Sequence, residues 1–133
     1  MSDPVTVPTG ASVEDFLAGA EPAGRREDAR VLVQLMSEVT GEEPVMWGPS
    51  IVGFGSQAYA YASGRTGDWP VVAFSPRKAS MALYGLQHPD REALLDRLGP
   101  HKRGASCVWV GRFGGIDLEV LRELVAAAWA ARD

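Results

Sequence analysis

Up to Thr40 the apolar residues of this chain recur at intervals of three and four; from Trp47 to Leu86 they alternate. Side chains three or four apart share one face of a helix, and every second side chain shares one face of a strand, so this change of period limits the chain to a helical segment followed by a sheet. Ala29, Leu32, Leu35, Met36 and Val39 make one helical stripe. The pattern predicts a helix that begins near Pro22, a residue tolerated in a first turn, and ends at Thr40, with Gly41 as a left-handed stop and Pro44 beyond it. Before it, Ser12 can cap a short helix over Val13–Ala18, where Glu14 and Asp15 suit the positive end of the dipole. Residues 1–11 carry two prolines and read as a mobile arm ahead of a single domain over residues 12–133.

Within the alternating region, Ile51–Phe54 is a short apolar run, and residues 57–62 alternate alanine with tyrosine. Gly64-Arg65-Thr66-Gly67-Asp68 reads as a turn, and residues 71–75 and 80–86 as two further strands joined through Pro76. Connections this short favour antiparallel neighbours. Residues 90–98 predict a helix capped by Asp90 and ended by Gly99-Pro100, residues 106–110 a fifth strand, and residues 117–131 a closing amphipathic helix. The predicted class is α+β, in the order ααββββαβα: a mainly antiparallel sheet of about five strands with helices on one face. A chain of 133 residues can bury such a core without disulfides, and 46% hydrophobic against 23% charged residues is a globular balance.

Charge and motifs remove several functions from consideration. A net charge of −4 speaks against nucleic-acid binding by whole-surface attraction, and no apolar run is long enough to span a bilayer. The N-terminal residues show no basic and then apolar export signal, and a lone cysteine is ordinary in a reducing compartment, so a cytoplasmic location is expected. Gly53-Phe54-Gly55-Ser56-Gln57-Ala58 spells a dinucleotide-binding string, but that motif works only where it opens a helix, and here a strand pattern follows. No cofactor is implied. Cys107 and His101 could be imagined as nucleophile and base; Cys107, however, alternates with Trp109 on a predicted strand, which suggests a buried structural thiol. Two histidines and one cysteine lie far apart and lack metal-ligand spacing, while Glu42-Glu43 reads as a solvated turn. The four tryptophans read as core rather than as a base-stacking platform, because no basic stripe surrounds them.

What remains is a pair of short basic segments, Ser75-Pro76-Arg77-Lys78 and His101-Lys102-Arg103-Gly104. Of the 13 Lys and Arg residues only two are lysine, Lys78 and Lys102, one in each segment. A lysine is a compact, rotatable point charge, so two such loops facing one volume would hold a small anion. Solvated turns are the alternative. The Trp47-Gly48-Pro49 turn further suggests a tryptophan exposed on a rigid corner, sharing a cleft with Tyr84.

Several of these segments also look familiar. The run from Thr40 to Gly55 containing Met46-Trp47-Gly48-Pro49-Ser50, then Tyr61-Ala62-Ser63-Gly64-Arg65, Phe74-Ser75-Pro76-Arg77-Lys78, Leu98-Gly99, His101-Lys102, Gly104 and Ser106-Cys107 resemble the YdhG-like family of domains of unknown function. The similarity extends from about Arg25 to Leu124. It implies a compact α+β domain with an antiparallel sheet and supplies no reaction. Some relatives are described as frataxin-like iron chaperones, so the resemblance also implies an iron-handling alternative. The leading expectation is a small-ligand or protein-binding module whose site comprises Trp47, Arg77, Lys78, Tyr84, His101 and Lys102, with no catalytic residue and no metal ligand assigned. Its partner would be a small anion or a protein, not nucleic acid or membrane, with the oligomeric state left open.

Overall fold

The computed structural model describes residues 8–60, 66–104 and 107–132. Two helices lead: α1 (Val13–Ala18), whose Ser12 side chain accepts from the Asp15 amide, and α2 (Ala23–Thr40), which stops at Gly41 in the left-handed region (φ 72°). Both sets of local signals act as the sequence predicts. Then come β1 (Val45–Trp47), β2 (Ile51–Phe54), β3 (Gln57–Ala60), β4 (Thr66–Trp69), β5 (Val72–Pro76) and β6 (Met81–Tyr84). A 3-10 turn at Pro89–Arg91 leads into α3 (Glu92–Leu98), followed by β7 (His101–Arg103), β8 (Cys107–Val110) and α4 (Leu118–Ala130). Asp117 caps α4 by accepting from the Glu119 and Val120 amides.

Six strands form one antiparallel sheet in the order β1-β2-β5-β6-β8-β7, and β3 with β4 forms a separate hairpin between β2 and β5. The α+β class and the antiparallel sheet are therefore as expected, with three strands more than the pattern revealed. β1 and β7 have three residues each, too few to show an alternation. β4 falls on Thr66-Gly67-Asp68, which were read as turn; its pairing with β3 (Ala58↔Asp68, Tyr59↔Gly67) overrides the weak strand propensity of those residues. Residues 61–65, and with them the rest of the predicted turn and of the second predicted strand, lie outside the described residues, as do Ser106 and residues 1–7 of the predicted arm. The described part of that arm is tied down: Pro8 bridges to Trp47, and the Thr9 amide donates to the Met46 carbonyl at 2.8 Å. The cap before α3 also differs from expectation, since the His88 ring nitrogen Nδ1 accepts from the Asp90 amide.

The register divides the sheet into two faces. Met46, Val52, Phe54, Phe74, Leu83 and Val108 point to the helix layer and join Leu32, Met36, Leu121 and Leu124 in one core. The opposite face carries Trp47, Gly53, Ala73, Ser75, Ala82 and Trp109. It is buried too along its middle, where Ala73, Ser75 and Ala82 are inaccessible. The end of β4 lies over it: Trp69 meets Tyr84 edge to face, with ring centroids 6.4 Å apart, and a Cβ added at Gly53 would fall 2.7 Å from Pro70 Cβ.

Candidate functional site

At one end of the sheet three chain segments enclose an open groove of about 710 Å³: residues 79–80 between β5 and β6, residues 100–102 entering β7, and residues 109–111 leaving β8. The antiparallel ladder creates the meeting. Met81 pairs with Val110 and His101 pairs with Val110 from the other side, so the hairpin end of β6, the exit of β8 and the entry of β7 share one sheet end. Lys102 and Trp109 are direct partners in this ladder and stand on the face away from the helices. The Trp109 ring leans over Gly104, where an added Cβ would lie 2.6 Å from it. Glycine at this position lets the indole settle against backbone, half-buried, with the remainder of its surface lining the groove.

The rims are held from the helix side. Arg25, near the start of α2 and only 5% exposed, donates from Nε to the Arg77 carbonyl (2.9 Å) and from Nη1 to the Gly111 carbonyl (3.3 Å). One guanidinium thus ties the β5–β6 connection to the end of β8. Three residues further along α2, the buried Asp28 carboxylate accepts from Arg112 Nε (2.9 Å) and from the Phe113 amide (3.0 Å), which fixes the chain just beyond the groove. No aspartate or glutamate is found in the groove's lining among the described residues. Lys102 is exposed and takes part in no ion pair among them.

The six residues expected to form a site divide among four places. Lys102 and His101 line the groove. His101 does so without a free ring nitrogen: Nδ1 is 2.7 Å from the Gly99 carbonyl and Nε2 accepts from Arg103 Nε at 2.9 Å, a pattern that requires the Nδ1-protonated tautomer. Arg77 and Tyr84 meet each other, Nη2 to hydroxyl, at 3.4 Å. Lys78 lines grooves beside the α1–α2 connection together with Glu21 and Pro22, so Lys78 and Lys102 line different grooves. Trp47 is 2% exposed rather than displayed on a corner, because the absence of a side chain at Gly53 lets its ring lie over that backbone. Cys107 is half-buried, opposite Tyr84 in the ladder, where full burial was expected.

Sequence reasoning missed Trp109, Ser80 and the β7 strand itself. Reading His101–Arg103 as a strand paired across Gly104 would have put Lys102 beside Trp109, but three polar residues give no strand signal. The glycine-rich string at residues 53–58 behaves as expected for that context: Gln57 opens a strand, not a helix. No helix among the described residues is long and apolar enough to cross a membrane. No protein-family model, curated protein or solved structure matches the chain.

Proposed function

We propose that this domain is a small-ligand-binding module and that the groove at the β6–β7–β8 end of the sheet is its binding site. The observation that carries the reading is the pairing of Lys102, a cation with no ion-pair partner among the described residues, with a half-buried tryptophan, Trp109, on adjacent strands in a groove of about 710 Å³. Sites for small molecules are concave, largely apolar and furnished with few polar groups, and span roughly 300–1,000 Å³. The rims are preorganised by Arg25, so a ligand need not pay to bring them together. The YdhG-like resemblance enters through the fold, since it implies the antiparallel α+β class that this chain adopts. Its iron-handling alternative gains no support from the described residues, among which no three His, Cys, Asp or Glu side chains gather as a metal site would require.

A fragment screen read by amide NMR tests the proposal. Saturable shifts should concentrate at residues 79–80, 101–102 and 109–111. Hits that scatter over the surface, or that gather beside Lys78 and Glu21 instead, would overturn the assignment of this groove.

A further inference from the structure

We infer that the ligand is a small carboxylate with a flat apolar body, of which an aromatic acid is the simplest form. The inference rests on the ligand-binding reading above and names the chemistry of that same groove.

Charge comes first. The chain is acidic overall, yet this groove is lined by a lysine and, among the described residues, by no carboxylate. The alternation of β7 explains why the charge of Lys102 stays available. His101 and Arg103 point to the helix side, where Arg103 meets Asp96 (2.5 Å) and Glu92 (3.9 Å) of α3. Lys102 points the other way and makes none of those contacts. A single compact cation with one neighbouring serine suits a monoanion. A phosphate group draws on more donors than this lining offers, Arg forks above all.

Shape comes second. The indole of Trp109 rests against Gly104, and Pro100 and Val110 continue the lining, so the body of the ligand meets mainly apolar surface. Directly opposed residues of an antiparallel pair have Cβ atoms about 5 Å apart. A planar ring held against Trp109 therefore carries a carboxylate on its rim into reach of the Lys102 ammonium. Ring contact and charge contact are made by one rigid molecule, with little rotamer freedom to lose.

The test compares 2-naphthoate with its neutral isostere 2-naphthamide, titrated into the 15N-labelled protein. The acid should shift residues 101–102 and 109–111 saturably, and should bind at least about tenfold more tightly than the amide. Lys102→Ala should remove that difference by weakening the acid alone, and raising the salt concentration should act in the same direction. Trp109→Phe, which keeps a ring in place, should weaken both probes. If acid and amide bind this groove equally, the carboxylate inference fails while the ligand-binding reading stands. If neither probe gives saturable shifts there, both fall.

Discussion

The two sides of the sheet at the groove end use charge in opposite ways. On the helix side, Arg25, Asp28 and Arg112 are engaged with one another's neighbourhood: every contact described there runs to a backbone carbonyl, a backbone amide or an opposite charge. On the outer side Lys102 has no ion pair among the described residues. A charge removed from water must be partnered, because its desolvation costs more than most single contacts return. An exposed charge carries no such obligation and contributes little to stability. The contrast separates residues that hold the groove from residues that can meet a ligand in it.

The comparison can be broken most decisively at Asp28. Asp28→Ala leaves the Phe113 amide buried without its acceptor and Arg112 without its closest acid, and should cost about 3 kcal/mol in urea unfolding. Asp28→Asn should recover part of that loss, since its carbonyl oxygen can still accept from Phe113; a loss under about 0.5 kcal/mol for Asp28→Ala, the range of ordinary surface changes, would show that the corner is not locked. Arg25→Met keeps much of the apolar stem and removes both donors, for an expected cost of about 2 kcal/mol. Because Arg25 joins the two rims, this variant should also broaden or shift amide resonances near Ser80 and Gly111, which a purely global destabilisation would not select.

Gly104→Ala probes the outer side. Its new Cβ would press on the Trp109 ring, and because the contact is with a ring edge that can shift, a cost of about 1 kcal/mol is expected, with a change in tryptophan emission. Unchanged emission would mean that the ring does not depend on that seat. Lys102→Ala should alter stability by less than about 0.5 kcal/mol, as expected of an exposed lysine. The smallest effect belongs to Glu38 on the far surface of α2. Its carboxyl is held below the ordinary 4.5 by the hydrogen bond from Arg122 of α4 (2.8 Å), with Gln34 second. A depressed folded-state pKa stabilises the fold above the usual glutamate range, and that contribution disappears as pH falls through and below it. Glu38→Gln should therefore lower stability slightly at neutral pH and leave it unchanged well below the glutamate range, so that the acid limb of the stability–pH curve flattens.

Local signals made the helices legible. Ser12, Gly41 and Asp117 act within a turn of their own positions, so sequence neighbours suffice to read them. The short strands were not legible for the opposite reason: β7 and β4 exist because β8 and β3 supply hydrogen-bond partners, and His101-Lys102-Arg103 or Thr66-Gly67-Asp68 alone carry no such information. The site divides along the same line. The rarity of lysine drew attention to Lys102, whereas Trp109 looked like core, since alternation tells which residues share a face but not what covers that face. Trp47 shows the converse error. A tryptophan beside a Gly-Pro turn has the composition of an exposed corner, and its burial is decided by Gly53 and Pro70 in other elements.

The position of β7 at the end of the sheet order has a consequence for how copies of this protein meet in solution. An outermost strand with unpaired amides and carbonyls is a template on which another chain can grow, and this is how many sheets polymerise. Antiparallel self-pairing centred on this three-residue strand would bring the two Lys102 side chains directly opposite each other, with a histidine and an arginine exchanged on each flank. Like charges facing across a ladder oppose its formation. The other border is guarded differently, by the backbone of Pro8 and Thr9 against β1. In that register the same lysine that gives the groove its charge would oppose the edge-to-edge pairing of two copies.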